Sequence, residues 1–214
     1  MYTMASLIDF IFHIDRYLVE IVHVYQAWTY LILFLVIFAE TGLVVTPFLP
    51  GDSVLFAVGA LIAKPETGLS LSGMYILLAL AAVTGDFLNY GIGKRYGRRL
   101  FSSNLKLFKP SHLQKTEQFY EQHGPKTIVY ARFIPIVRTF APFVAGIAGM
   151  SYTIFGKYNI FGALLWISLF LIGGYFFGQI PFVEQNFSLV VLVVILFSFI
   201  PALIEIWNKK GFRR

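Results

Sequence analysis

Four charged side chains lie in the middle of apolar segments of this chain. Glu40 and Asp52 belong to one apolar stretch, and Arg132 and Arg138 belong to another. At the centre of a bilayer each unpaired charge costs about 2.5 to 3.5 kcal/mol, so such groups must be paired, hydrated or bound to a ligand. Because one stretch supplies two acids and the other two arginines, we predict that these four side chains meet.

The two arginines are suited to binding phosphate. A guanidinium group binds phosphate through two parallel hydrogen bonds, a geometry that lysine cannot reproduce. Arg132 and Arg138 are six residues apart, which separates them by about 120° around a straight helix. A break at Pro135 would let them converge, and we predict that both hold a lipid phosphate headgroup.

Glu40 and Asp52 are predicted to pair with the arginines in the absence of ligand. Protonation of either acid would release its arginine and so couple proton movement to phosphate binding. The alternative is that the four charges are only salt bridges that lock two segments together.

A second group of polar residues lies near the basic end of the apolar segment 74–93: Asp86, Asn89 and Tyr90. They are candidates for lining the same site, although Asp86 could instead pair with Lys94 or Arg95 at the membrane interface. Three glycines of this segment are predicted to permit close helix packing: Gly85, Gly91 and Gly93.

Metal and cofactor chemistry have little support in the sequence. The chain has no cysteine, and its histidines show no metal-ligand spacing. They occur in or next to amphipathic stretches, at His13, His23, His112 and His123. We therefore predict no metal, no cofactor and no catalytic side chain.

The composition is that of an integral membrane protein. Of 214 residues, 57% are hydrophobic and 13% charged, with a mean hydropathy of +0.73. Three segments of about 20 apolar residues are long enough to span a bilayer as helices: 74–93, 157–178 and 187–207. The first and last precede basic clusters, which indicates a cytoplasmic loop and tail facing anionic lipids rather than a nucleic-acid site.

Two further apolar regions, 26–63 and 125–149, contain residues that interrupt helices. Proline removes a helix hydrogen bond, and broken backbone survives at membrane depth only where it is buried in protein or lines a wet cavity. Each region is predicted to be a re-entrant helical hairpin beside a cavity. The predicted helix-breaking residues are Gly42, Pro47, Pro50, Gly51, Pro135 and Pro142.

The order of elements repeats. An amphipathic stretch precedes each hairpin, at 7–24 and 110–123, and a span follows it. Because the chain crosses the membrane once, at 74–93, before the second copy begins, the second copy would be inverted relative to the first. The predicted fold is therefore one all-α membrane domain with an inverted repeat, divided into repeat one (about 5–93), a basic cytoplasmic loop (94–109), repeat two (110–178) and a C-terminal span (187–207).

Four runs are specific enough to suggest a family: FAETG at 38–42, PFLPGD at 47–52, GDFLNYGIG at 85–93 and ARFIPIVRTFAPFVAG at 131–146. They resemble the signatures of the DedA family. The resemblance implies a multi-pass protein of the bacterial inner membrane, with two opposed re-entrant hairpins and a role for the proton-motive force. It also implies that the functional acids are Glu40 and Asp52 and the functional arginines Arg132 and Arg138.

The resulting expectation is a lipid flippase, not an enzyme, that moves undecaprenyl phosphate across the membrane. A flippase or scramblase of phosphatidylethanolamine or another phospholipid is the first alternative, because the family resemblance leaves the substrate open. An enzyme acting on lipid phosphates and a membrane assembly factor without transport are alternatives of other classes. The oligomeric state is left open, with a homodimer as one option.

Overall fold

The computed structural model describes residues 22, 24–43, 51–101, 110–186, 189, 190 and 193. These residues contain helices and no strand, which confirms the all-α prediction. The helices are α1 (Gln26–Gly42), α2 (Gly51–Ile62), α3 (Leu71–Phe101), α4 (Pro110–His123), α5 (Thr127–Ala131), α6 (Pro135–Ile147), α7 (Tyr152–Ile167), α8 (Gly173–Gly178) and α9 (Pro181–Gln185). Short 3-10 helices occur at Pro65–Thr67 and Gly124–Lys126, and a π-helix at Ser168–Ile172 joins α7 to α8.

Among the described residues, two helical segments are long and apolar enough to cross a membrane. They are Leu71–Gly97 and Tyr152–Gly178, and they contain the predicted spans 74–93 and 157–178. Their length and composition agree with an all-α membrane protein. The predicted C-terminal span and the first amphipathic stretch lie almost entirely outside the described residues, whereas the second amphipathic stretch forms α4.

Helix α3 extends further than predicted. It continues to Phe101, so the first eight residues of the expected loop 94–109 are helical. Lysine and arginine are good helix formers, and cations near a helix C-terminus interact favourably with the helix dipole. A helix of 31 residues is about 46 Å long, which exceeds the roughly 30 Å hydrocarbon thickness.

Both predicted hairpins are interrupted where the sequence indicated. Helix α1 ends at Gly42 and α2 begins at Gly51, while Pro47 and Pro50 lie outside the described residues. In the second region residues 132–134 separate α5 from α6, which begins at Pro135. Proline suits the first position of a helix because its missing N–H needs no partner there. The re-entrant orientation of both hairpins stays a prediction.

Pro142 does not break the helix, which corrects the prediction for this residue. It lies inside α6 and is buried. Proline cannot donate to the carbonyl oxygen four residues earlier, but neighbouring side chains can satisfy a turn that it disturbs. Within that turn the carbonyl oxygen of Thr139 accepts a hydrogen bond from the Asn89 side chain at 3.0 Å.

The described chain forms two compact units, and neither is continuous in sequence. The described parts of residues 1–31, 50–74 and 168–214 form the first unit, and those of residues 32–49 and 75–167 form the second. The sequence predicted one domain because it contains no visible linker. The two units are built from alternating stretches of the chain, so the boundary between them is not marked by a linker.

In the first unit, helix α2 packs directly against α8 and the π-helix. A Cβ atom at Gly59 would overlap the carbonyl oxygen of Leu171, and one at Gly174 would overlap that of Phe56. The Phe56 and Phe177 rings are 5.3 Å apart. Missing side chains at two glycines therefore bring the backbones of these helices into contact.

In the second unit, helix α3 packs closely on α6 and on the end of α1. A Cβ atom at Gly93 would overlap the Phe143 carbonyl oxygen, and one at Gly85 would overlap Oγ1 of Thr41. These contacts confirm the packing role predicted for Gly85 and Gly93. The same prediction is not supported for Gly91, where a Cβ atom would meet nothing within 4 Å among the residues that the structure describes.

This difference gives a matched pair of substitutions on one helix. We expect Gly93→Ala to destabilise the protein by about 1 to 3 kcal/mol through overpacking against α6. Gly91→Ala should be neutral or slightly stabilising, because alanine is the better helix former. Melting temperatures in detergent would measure both effects, and equal melting temperatures would contradict the packing described for Gly93.

Candidate functional site

The Arg132 side chain is buried in the second unit and paired with Asp86. Arg132 lies in the break between α5 and α6, and its Nη2 donates to Oδ2 of Asp86 on α3. The side chains are 3% and 7% exposed, so this ion pair is almost completely withdrawn from solvent. Asp86 therefore neutralises Arg132 directly, and the alternative pairing with Lys94 or Arg95 is not observed.

Asn159 on α7 is the second partner of the same nitrogen. Its Oδ1 accepts from Nη2 of Arg132 at 2.5 Å, and its Nδ2 donates to the Val83 carbonyl oxygen at 3.0 Å. Asn159 itself is fully buried. The two bonds fix which end of the amide faces Arg132 and connect the guanidinium to the backbone of α3.

Arg132 uses only part of its hydrogen-bonding capacity in these contacts. Every hydrogen bond from its side chain to the described residues starts at Nη2, and the buried Nε has no partner among them. A Cβ atom at Gly162 would lie 3.1 Å from that Nε. A guanidinium group has five N–H donors. Asp86 accepts from only one of its nitrogens, so the pair is not the bidentate arrangement in which two nitrogens bind one carboxylate.

Arg138 lies between an acid and an aromatic ring. Its Nη2 is 3.4 Å from Oε1 of Glu40, with side chains that are 11% and 7% exposed. Its guanidinium carbon lies 4.0 Å from the centre of the fully buried Trp166 ring. A cation stacked on a desolvated indole gains about 2 kcal/mol, which partly offsets the cost of burying the charge.

The two ion pairs form one electrostatic group, which we call the charge cluster: Glu40, Asp86, Arg132 and Arg138. Asp86 also attracts Arg138 and Glu40 also attracts Arg132, whereas the two arginines repel each other. Two acids and two arginines give a formal net charge of zero. A neutral cluster is the arrangement in which four charges can be buried at tolerable cost.

Asn89 stabilises the backbone on both sides of the ion pair between Glu40 and Arg138. Its Nδ2 donates to the carbonyl oxygens of Thr41 at 3.2 Å and Thr139 at 3.0 Å. These threonines directly follow Glu40 and Arg138 in sequence. One fully buried amide therefore links the backbone beside the acid to the backbone beside the arginine.

Helix α3 positions both halves of the cluster because Asp86 and Asn89 are three residues apart, on one face of the helix. Tyr120 on α4 adds a link to α6, since its hydroxyl donates to the Ala141 carbonyl oxygen at 2.9 Å. Burial, with a further contribution from the negative charge of Asp86, raises the pKa of the Tyr120 phenol. The phenol therefore keeps its proton and remains a donor.

Asp52 and Tyr90 are two further residues that were predicted to belong to the site. Asp52 lies in the first turn of α2, in the first compact unit, so its role stays a prediction. Tyr90 is fully buried, stacks on Phe155 at 4.4 Å and donates to the Met150 carbonyl oxygen. Its observed contacts are those of a packed core residue.

The basic residues at the end of α3 interact with aromatic rings. Nζ of Lys94 lies 4.2 Å from the centre of the Tyr152 ring, and the guanidinium carbon of Arg95 lies 5.7 Å from that of Tyr96. Cation–π contacts of this kind are compatible with water on the other side of the cation. These two charges are therefore stabilised without Asp86.

Sequence reasoning missed Asn159 and Trp166. Asn159 carries a usable signal, because an amide inside the apolar span 157–178 must find hydrogen bonds once it is withdrawn from water. Trp166 carries none, since aromatic residues are common throughout this chain and only the fold brings this ring to Arg138.

Comparison with known proteins agrees with the motifs. The VTT domain matches residues 49–176. The protein DedA of Escherichia coli strain K12 is 56% identical over 205 residues, which cover 95% of this chain and 94% of that protein. This chain belongs to the DedA family. DedA-family membership and the apolar helices together establish a membrane protein.

More distant DedA-family relatives extend over most of the chain. An uncharacterized membrane protein of Mycobacterium tuberculosis is 40% identical over 172 residues, 80% of this chain and 75% of that protein. The inner membrane protein YqjA of E. coli is 33% identical over 189 residues, 85% of each chain. No solved structure matches this chain.

The ion pair between Asp86 and Arg132 makes a stability prediction. Asp86→Leu alone leaves a buried guanidinium without its acid and should cost about 3 to 5 kcal/mol. The double variant Asp86→Leu/Arg132→Met removes both charges and should be less destabilised than that single variant. Thermal unfolding in detergent compares them, with Lys94→Met as the control for loss of an exposed cation. A double variant that melts as low as the single one would contradict the pairing.

Proposed function

We propose that this protein is a lipid translocase that binds the phosphate headgroup of an anionic lipid at the charge cluster. The observation that carries the proposal is the pair of arginines, each held by a carboxylate, in a buried part of an apolar helical unit. Buried ion pairs are poor stabilisers compared with apolar packing. Ionisable residues inside membrane proteins usually mark the path of a substrate or ion.

A phosphate group can replace the carboxylates as the partner of the arginines. It is anionic, accepts several hydrogen bonds and binds guanidinium groups through two parallel bonds. The exchange keeps each arginine next to a negative charge, so it avoids leaving a buried cation uncompensated. A lipid headgroup that binds in this way would cross the apolar layer with its charge neutralised.

Access to the cluster requires movement, because its side chains are at most 11% exposed. The break at residues 132–134 is a suitable hinge. Its three backbone N–H groups make turn-type bonds to the residues three positions earlier, at 2.9 to 3.3 Å, instead of regular α-helical bonds. Hinges are commonly short segments of this kind at the ends of elements.

The substrate that we propose is undecaprenyl phosphate, moved across a bacterial inner membrane in which the chain crosses several times with a cytoplasmic C-terminus. The headgroup is a phosphate monoester, which offers the arginines more negative charge than a phosphodiester. The basic residues in the last turns of α3 and beyond it, and those at the C-terminus, would attract the anionic lipids of the cytoplasmic leaflet. The name of the relative YqjA, an inner membrane protein, supports this location.

Flipping of a fluorescent prenyl phosphate in proteoliposomes tests the proposal. Arg132→Ala and Arg138→Ala should each reduce the flipping rate by at least about tenfold, the size expected for loss of one charge-assisted contact. Lys157→Ala, which removes an exposed cation from the helix that carries Asn159, should leave the rate unchanged. Rates of the folded arginine variants equal to wild type would overturn the proposal.

The same preparation separates the alternative functions. Arginine-dependent flipping of labelled phosphatidylethanolamine but not of prenyl phosphate would make phosphatidylethanolamine the substrate. Release of inorganic phosphate from a lipid phosphate would indicate an enzyme. If charge-neutral substitutions in the cluster lower abundance and leave flux per molecule unchanged, the protein is an assembly factor.

Proton coupling through Glu40 or Asp52 is a further part of the proposal. A protonated Glu40 would no longer hold Arg138, which would then be available to phosphate. Glu40→Gln and Asp52→Asn should each be compared with wild type for the pH dependence of flipping. We expect at least one of them to flatten it, and an unchanged pH profile in both would exclude these acids as the coupling groups.

A further inference from the structure

The two partners of Arg132 differ in charge. Asp86 is a carboxylate and Asn159 is a neutral amide of nearly the same shape, and both accept from the same nitrogen. A phosphate that approaches Arg132 competes with the acid for the positive charge. It does not compete with the amide in that way, because the amide carries no net charge.

The two partners also differ in how they are held. Asn159 is fixed by its second bond to the Val83 carbonyl oxygen at 3.0 Å. Val83 and Asp86 lie three residues apart on α3, so the amide keeps Arg132 connected to this helix even when the carboxylate is released. The sequence offers no reason to expect this division between a replaceable and a permanent partner.

We propose that Asp86 is the counter-ion that phosphate displaces from Arg132, and that Asn159 is the positioning residue that keeps the guanidinium in place during the exchange. One acid and one amide beside Arg132 then set the affinity for phosphate. A second acid would make the site more negative and weaken phosphate binding. Loss of the acid would leave a net positive site that binds phosphate tightly and releases it slowly.

This inference rests on the proposed function and predicts changes of opposite sign. Asp86→Asn should tighten binding of a short-chain prenyl monophosphate about tenfold and slow its flipping. Asn159→Asp should weaken binding about tenfold. The exchanged variant Asp86→Asn/Asn159→Asp again has one acid and one amide beside Arg132, and its dissociation constant should return to within about threefold of wild type.

Binding would be measured on the full chain in lipid nanodiscs, with melting temperature as a second readout. Both variants that contain Asn159→Asp lose the donor to Val83 and should melt at a lower temperature. Affinity that returns to the wild-type value in the exchanged variant while its melting temperature stays below wild type cannot come from recovered stability. Inorganic phosphate and the matching prenyl alcohol are the control ligands. Prenyl phosphate binding stronger than that of both indicates a lipid headgroup, whereas equal binding of inorganic phosphate indicates a free phosphate.

The outcomes separate the two proposals. If Arg132→Ala binds prenyl phosphate as tightly as wild type, the proposed function fails and this inference fails with it. If Arg132→Ala loses binding but Asp86→Asn does not tighten it, or the exchanged variant stays as weak as Asn159→Asp, only the inference is overturned. A residue with a merely structural role would not produce tighter binding in one variant and recovery in the exchanged one.

Discussion

The burial of two guanidinium groups in an apolar helical unit is the constraint on which the site depends. Each guanidinium group needs a negative partner at close range, and two residues of helix α3 help to provide or position these partners. Asp86 neutralises Arg132 directly, and Asn89 ties together the backbone segments that carry Glu40 and Arg138. The close approach of α3 to its neighbours is possible because Gly85 and Gly93 have no side chains. Charge pairing and small-residue packing are therefore parts of one arrangement.

Much of the fold could be predicted from the sequence. Apolar segments of about 20 residues give spans, and proline gives the break before Pro135. That Glu40 pairs with an arginine of the second apolar region follows from complementary charges in apolar surroundings, but the sequence does not identify this arginine as Arg138. These features depend on local composition or on large energetic penalties, which is why they are visible without coordinates. The extent of α3 was less predictable, since lysine and arginine are compatible with both a helix and a loop.

The remaining features depend on tertiary geometry. From the sequence, Glu40 and Asp52 are the expected partners of the arginines. Asp86 is left between lining the site and pairing at the membrane interface, and only the approach of α3 to the break brings it to Arg132. Pro142 lies inside a continuous, buried helix, although local rules make proline a helix breaker. The cation–π contact between Trp166 and Arg138 joins residues 28 positions apart, so sequence spacing cannot indicate it.

The short interval between α5 and α6 also fixes an angular relation. Each residue added to a helix turns the following side chains by about 100°. With only residues 132–134 between the two helices, removing or inserting one residue would rotate α6 and turn Arg138 away from Glu40 and Trp166. The length of this interval therefore sets the rotation of α6 about its axis. Insertions and deletions here should be tolerated less well than substitutions.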